Sequence, residues 1–406
     1  MPKQNQTKKL KILFLSHKIP FPPNRGDRIP SFFRMKHLSK KNDLSIAFPC
    51  FYEEELKLTD EIKKYCVSID TELIKPFNAK LKSLYSVLTR KPLTLPYFYS
   101  KKLHKKILKR IEEENFDLIY IFCSSMAQYV MDVKGIKKII DLVDVDSHKW
   151  LQYSKKTFPP LSTLYYLEWK KLKKYEIFLA KNCECTILIS ENEKKLFIEH
   201  YINNVPTLVV PNGVNLKYFR PNKNYSYKPQ KIVFLGAMDY YANVDGVAYF
   251  HDKIFPIIKK EIPDAKFYII GSRPAKAVQK LASKDVIVTG FVDDVRTYLN
   301  DACVCAVPLR IARGIQNKIL EAMASGIPVV TSPICNDGVA AVDGENILVG
   351  KTPQEFAKYV TDILSNHNLR DKFARNGRKF VEEHYSWEIN LNRLEKLFVE
   401  TCLDTE

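Results

Sequence analysis

The 406-residue sequence contains no apolar run of the ~20 residues that a membrane-spanning helix requires. Residues 1–9 are polar, and the apolar stretch 12–15 is too short for the core of a signal peptide, so neither a leader nor an anchor is expected. Helix-turn-helix, zinc-module and aromatic RNA-binding signatures are missing, which argues against a nucleic-acid partner. There is no G-x-G-x-x-G fingerprint, and that argues against a nicotinamide enzyme. The 9 cysteines are odd in number and scattered. Cys183/Cys185 and Cys303/Cys305 are C-x-C pairs inside strand-like runs, not C-x-x-C ligand pairs. Reduced, buried thiols in a cytoplasmic protein are therefore expected, without a metal site. Internal repeats and low-complexity segments are absent too.

Acids are the scarce sign of charge: 64 Lys+Arg stand against 46 Asp+Glu, a formal net charge of +18. The imbalance is uneven. Residues 1–210 hold 38 basic and 23 acidic residues, a balance of +15, while residues 211–406 hold 26 and 23, a balance of +3. The first half is thus suited to an anionic partner such as a membrane surface or an acidic glycan. The plainer alternative is a Lys-rich composition with scattered solvated lysines, of which the run 101–110 is an example.

What is present is alternation. Strand-like runs are expected at 11–16, 44–48, 117–122, 138–143, 186–189 and 207–210, and, after a polar break at 222–230, at 231–235, 266–270, 286–289, 303–307 and 328–331. Amphipathic stretches separate them. That pattern, twice over, predicts an α/β protein with two doubly wound parallel sheets. The division expected is 1–213, 214–387 and a last helix, 388–406, crossing back to the first domain. Helices are also expected at 353–365 and 368–383.

The most informative segment runs from Pro308 to Val330. A buried strand leads into a loop with Arg310 and Arg313, and Gly314 is expected to open a helix carrying Lys318 and Glu321. Backbone N–H groups of Gly314, Ile315, Gln316 and Asn317 would converge there with the cations, a seat for a diphosphate. Glu321 would lie about two turns into the helix, where an acid suits sugar hydroxyls better than phosphate.

Several strings occur in a fixed order: Pro211-Asn212-Gly213-Val214, Gly271 after a strand, Gly290-Phe291-Val292, Glu321-Ala322-Met323-Ala324 with Gly326 and Pro328, and Asp343-Gly344-Glu345-Asn346-Ile347-Leu348-Val349. Together they resemble the group 1 (family 4) glycosyltransferases, retaining enzymes of GT-B fold, two Rossmann-like domains facing a central cleft, that use nucleotide sugars. Longer strings are similar to sugar transferases of bacterial exopolysaccharide systems. These are Pro20 to Arg28, Asp141-Leu142-Val143-Asp144-Val145-Asp146-Ser147, Gly236-Ala237-Met238-Asp239-Tyr240 with Asn243-Val244-Asp245, Gly271-Ser272-Arg273-Pro274, and the loop 310–321.

The resemblance implies roles. Glu321 matches the second acid of the family's E-x7-E motif, a ribose contact, whereas the first acid falls at Arg313, a departure. The family often places an Arg and a Lys soon after the first strand of the second domain; Gly236-Ala237-Met238-Asp239-Tyr240 has neither. Arg310, Arg313 and Lys318 are therefore expected to hold the leaving diphosphate, with Arg313 and Lys318 acting in catalysis. Gly236, Arg273, Phe291 and Val292 would line the donor side, and Gly26 would approach the donor phosphate and acceptor. Arg25, Arg28 and His148 would face the acceptor, with His17 a weaker candidate. Asp144 and Asp146, beyond a strand end, would orient or deprotonate the acceptor hydroxyl; helix N-capping, shared with Ser147, is the structural alternative. Asp-Val-Asp looks like the metal-binding D-x-D of another glycosyltransferase fold, but no metal or other cofactor is expected.

The expected function is transfer of a sugar from a UDP- or GDP-type donor to a glycan or lipid-linked acceptor in bacterial surface or exopolysaccharide synthesis. The place would be the cytoplasm, with peripheral contact to the inner face of the plasma membrane. A nucleotide-sugar epimerase of the same architecture and a catalytically dead membrane-docking protein are the rivals.

Overall fold

The computed structural model describes residues 9–403 apart from 24, 25, 27, 87, 88, 90, 222–229 and 313. Most of the expected polar break therefore lies outside the described residues. The chain divides into two compact units: Met1–Val210 with Leu391–Glu406, and Pro211–Asn390.

In the first unit β1 (Lys11–Ser16), β2 (Asp43–Cys50), β3 (Ser68–Leu73), β4 (Leu118–Phe122), β5 (Lys137–Val143), β6 (Cys185–Leu188) and β7 (Thr207–Val209) form one sheet. Its order is β3-β2-β1-β4-β5-β6-β7, parallel throughout. In the second, β8 (Lys231–Leu235), β9 (Lys266–Ile270), β10 (Val286–Gly290), β11 (Val304–Val307), β12 (Val329–Thr331) and β13 (Leu348–Val349) form the parallel sheet β10-β9-β8-β11-β12-β13. Helices link the strands, and side chains of β1, β4, β8 and β11 are buried almost without exception, as two-sided packing of a parallel sheet demands. The fold is the expected pair of Rossmann-like units.

Each sheet reverses its strand order once, between β1 and β4 and between β8 and β11. Ligand crevices in open parallel sheets form outside the carboxyl ends of strands at such a reversal. The topology thus singles out His17 and Cys123 in one unit, and Gly236 and the loop after Val307 in the other.

Two strands lie beyond the expected set. β3 is a polar edge strand with no fully buried residue and leaves no apolar run, and β13 is two residues of the short run Ile347-Leu348-Val349. The last helix, Trp387–Leu403, packs Leu394 and Phe398 on the first unit, with the Phe398 ring 5.0 Å from that of Tyr120. Glu395 meets His37 at 3.2 Å and Lys41 at 3.1 Å.

The first unit buries an ion pair at its centre. Arg34 and Asp141 are both fully buried; Arg34 Nε donates to Asp141 Oδ2 at 2.7 Å and Tyr120 Oη donates to the same oxygen at 2.5 Å. Asp141 Oδ1 accepts the Val143 N–H at 3.0 Å, bracing a β-branched residue held at φ +66°. Removing one member of such a pair strands the other charge. Asp141→Asn should therefore cost the first unit about 3–5 kcal/mol in urea unfolding. A change below about 1 kcal/mol would show that the guanidinium finds other compensation.

Candidate functional site

The site of the second unit begins with two glycines. Gly236 ends β8 and Gly271 ends β9; a Cβ on Gly271 would lie 1.6 Å from the Gly236 carbonyl oxygen, so only glycine allows these backbones to meet. A Cβ on Gly236 would lie 2.6 Å from Asn243 Nδ2. The space left open is filled by Asn243, buried in the first turn of the helix Tyr241–Tyr249. Its Nδ2 donates to the Ala237 carbonyl at 2.9 Å, which fixes the amide. Its Oδ1 accepts a hydrogen bond from Lys318 Nζ at 2.6 Å.

Lys318 and Glu321 stand on the helix Asn317–Ala324, which follows β11. The sequence places the start of this helix at Gly314, and the structure corrects that. Gly314 adopts φ +59° in the preceding loop, and the helix starts at Asn317, so Glu321 lies about one turn in. Lys318 and Glu321, three positions apart, share one face. Lys318 Nζ also sits 4.4 Å from the centre of the Phe234 ring. Both side chains keep partial contact with solvent, yet their apolar surroundings act on both. Desolvation pulls the lysine down to about 8 and pushes the glutamate up to about 7, with the Lys318 charge opposing the second shift. A cation weakened by poor solvation and partnered by a neutral amide is poised for an anion, and a polarisable acid beside it for hydroxyl groups.

The other donor-side candidates are distributed differently. Arg310 is held by Asp245, Nε to Oδ2 at 3.0 Å with a second short contact, and lies 4.9 Å over the Tyr249 ring. Arg273, at φ +52°, pairs with Asp239 at 3.0 Å. Phe291 is exposed and Val292 is partly buried against the core. Gly314, Ile315, Gln316 and Asn317 lead into the helix, and Asn317 Oδ1 is buried without a hydrogen-bond partner. Arg313 lies outside the described residues, so of the expected cation cluster the structure places Lys318 on the Asn243 amide and Arg310 on Asp245. Sequence reasoning assigned no role to Asn243 or Asp245, although both sit in a string it quoted; a polar residue in the first turn after a central strand was the available signal.

In the first unit, Asp144 and Asp146 follow β5 as expected. Both are salt-bridged to Lys149, at 3.2 and 2.8 Å. Asp144 Oδ1 is buried without a partner. The helix Asp146–Lys156 has no side-chain cap of its own. The amides at its start are taken instead by carboxyl groups from other helices: the Val145 N–H by Glu193 at 2.8 Å and the Ser147 N–H by Glu176 at 3.1 Å. His148 is partly buried on the same turn. Gly26 is exposed, and a Cβ there would meet nothing within 4 Å. Arg28, expected to face an acceptor, is buried, donating to Glu55 at 2.5 Å and to the Phe21 carbonyl at 3.2 Å. Arg25 lies outside the described residues. No cluster of His, Cys, Asp or Glu suited to a metal ion occurs among the described residues, and no helix there is long and apolar enough to cross a membrane.

Comparison with known proteins gives a consistent picture. Residues 229–366 match the family model described as "Glycosyl transferases group 1". A 44.6 kDa protein from the cps region of Klebsiella pneumoniae is 22% identical over 390 residues, 92% of this chain and 96% of that one. An Escherichia coli UDP-Gal:alpha-D-GlcNAc-diphosphoundecaprenol alpha-1,3-galactosyltransferase is 28% identical over 206 residues, 47% of this chain and 51% of its own. Among solved structures, sucrose-phosphate synthase from Thermosynechococcus elongatus superposes with a TM-score of 0.68 at 16% identity, over 97% of this chain and 99% of that one. Anabaena HepE in complex with UDP and glucose gives 0.66 at 14%, over 96% and 100%. The architecture is GT-B.

Glu176, which no sequence pattern flagged, generates a pH prediction. It is fully buried and burial pushes its carboxyl up to about 8. The folded protein then keeps this proton to about pH 8, whereas the unfolded chain releases it near the ordinary value of 4.5. The proton's stabilising contribution is complete below pH 4.5 and is lost as the pH rises to about 8. Thermal unfolding of the wild type should show this decline, on the order of 2–4 kcal/mol, and Glu176→Gln should flatten it. An unchanged slope in the variant would place the titration elsewhere.

Proposed function

We propose, from the match of residues 229–366 to the group 1 glycosyltransferase model, that the protein is a retaining glycosyltransferase of polysaccharide synthesis that takes its sugar from a nucleotide diphosphate donor. The observation that carries this reading is the Asn243–Lys318–Glu321 arrangement outside the ends of β8 and β11. Donor and acceptor are suggested by the relatives. The E. coli transferase names UDP-galactose and a diphosphoundecaprenol-linked sugar, and HepE holds UDP. A uridine nucleotide sugar and a glycan or lipid-linked acceptor are therefore the substrates to try first.

In this reaction the bond from the sugar C1 to the diphosphate oxygen breaks and a bond from C1 to the acceptor oxygen forms. The acceptor's proton leaves with a base or with the departing phosphate. Lys318 meets the charge that gathers on the diphosphate, as a donor held in place before the reaction begins. Protein cations rather than a metal ion do this work in our reading; Arg310 joins them on exchanging Asp245 for phosphate, and Arg313 follows three positions later in the sequence. Glu321 accepts from the ribose hydroxyls. Asp144, with one oxygen unpartnered beside Lys149, is the candidate to orient the acceptor hydroxyl on the first unit. The balance of +15 in residues 1–210 favours peripheral contact with an anionic membrane, where a lipid-linked acceptor would be found.

Lys318→Ala should lower kcat/KM about 100-fold with an unchanged unfolding midpoint. Glu321→Gln should weaken nucleoside diphosphate binding about tenfold in calorimetry. Binding by the wild type should decline above about pH 8, as Lys318 loses its proton. Wild-type rates in Lys318→Ala would remove this pocket from the reaction.

A further inference from the structure

The helix Pro76–Tyr85 is amphipathic in the wrong sense for a soluble surface. Ala79 faces inward, fully buried against Phe51 and Ile74. Phe77, Leu81 and Leu84, spaced i, i+4, i+7 and so on one helix face, point outward at 72, 53 and 63% exposure. A small residue has the core position and the large apolar stripe has the water. Isolated exposed apolar side chains need no explanation, but a stripe does.

A second element carries the same signature. The helices Asp146–Lys156 and Leu161–Asn182 pack side by side as a hairpin. Phe158 at its turn is 87% exposed, with Tyr153, Leu161, Tyr166 and Leu167 exposed near it. Rings of Trp150, Tyr153 and Tyr165 meet edge-on or tilted, with centroids within 6.0 Å of one another, an aromatic cluster behind that tip. The hairpin is tied to the first element. Lys171 Nζ donates to the Ser86 carbonyl at 3.1 Å, and Glu168 takes the N–H groups of Leu93 and Thr94. Beside Leu81 and Lys82 a cleft of about 830 Å³ opens, walled also by Pro96, Tyr99, Lys91 and the acid Asp132.

Charge settles what these surfaces suit. Lys75, Lys80, Lys82, Lys155, Lys170 and Lys174 are all exposed. The segment 75–86 has no acid, and the single acid of residues 150–175 is Glu168, buried with its oxygens on the 93–94 backbone. Apolar stripe, aromatic tip and an excess of lysines, with Asp132 the acid beside them in the cleft, together match an anionic lipid surface, where rings sit at headgroup level and lysines meet lipid phosphate. A nucleic acid would use the lysines and leave the aliphatic stripe in water.

We propose that the helix Pro76–Tyr85 and the Phe158 hairpin tip form a docking surface for an anionic bilayer. This deepens the reading of the protein as a membrane-contacting transferase by naming the residues that make the contact. Docking requires neither donor nor catalysis, so the two are tested apart.

The test is flotation of the full chain, without nucleotide, with vesicles of phosphatidylcholine alone or mixed with phosphatidylglycerol. The wild type should float with the mixed vesicles and not with phosphatidylcholine. Phe77→Ser/Leu84→Ser, Phe158→Ser and Lys80→Glu/Lys82→Glu should each weaken binding at least about tenfold, with unchanged circular dichroism and nucleotide affinity. All the substituted side chains are exposed, so folding is preserved. Failure of the wild type to float, undiminished binding by the variants, or retention on single-stranded DNA that exceeds binding to mixed vesicles would each overturn the proposal. Nucleotide affinity in calorimetry reports separately on the donor pocket.

Discussion

The proposed donor site depends on one hydrogen bond, from the Lys318 ammonium to the Asn243 amide oxygen. It exists because two backbones touch. Gly271 lies against the Gly236 carbonyl, Gly236 leaves room for Asn243, and Asn243 is locked by the Ala237 carbonyl. An ammonium on a four-carbon stem is otherwise a mobile group with a large rotamer entropy. Held on a neutral amide and over the Phe234 ring, it is localised without being neutralised. Contrast Arg310, whose guanidinium is already satisfied by Asp245. The loop cation and the helix cation therefore differ in kind: one is held by a carboxylate, the other by a dipole.

The first unit is organised by carboxylates that serve backbone instead of substrate. Glu168, Glu176 and Glu193 each reach from one helix to amides at the start of another segment. Asp141 joins Arg34, Tyr120 and the turn at Val143 in one buried knot. Four of the 23 acids of residues 1–210 are used in this way, one of them paired with the equally buried Arg34, so the balance of +15 rests mainly on the lysine count.

Much of the architecture was legible in the sequence because parallel strands buried on both faces leave short, dense apolar runs. β1, β8 and β9 fall where those runs predict. β3, Ser-Ile-Asp-Thr-Glu-Leu, lies at a sheet edge with no fully buried residue and leaves no such run. The loop before Asn317 was misjudged because a glycine in the left-handed region and one at a helix start look alike in sequence. Site residues were identified by type and not by partner. Arg28 with Glu55, Arg310 with Asp245 and Arg34 with Asp141 join residues 27, 65 and 107 positions apart. Pairings at that range follow from the fold, and no local pattern encodes them. Lys149, three residues after Asp146 on one helix, was readable by spacing alone.

The central claim is that Lys318 receives the donor's diphosphate, and proton linkage tests it most directly. Binding of UDP or GDP is measured by calorimetry at pH 8 in buffers of different ionisation enthalpy. A lysine lowered to about 8 is half protonated there, and an arriving diphosphate completes its charge. The account predicts uptake of about half a proton per nucleotide, abolished in Lys318→Ala. Binding without proton uptake, or the same uptake in the variant, would contradict it.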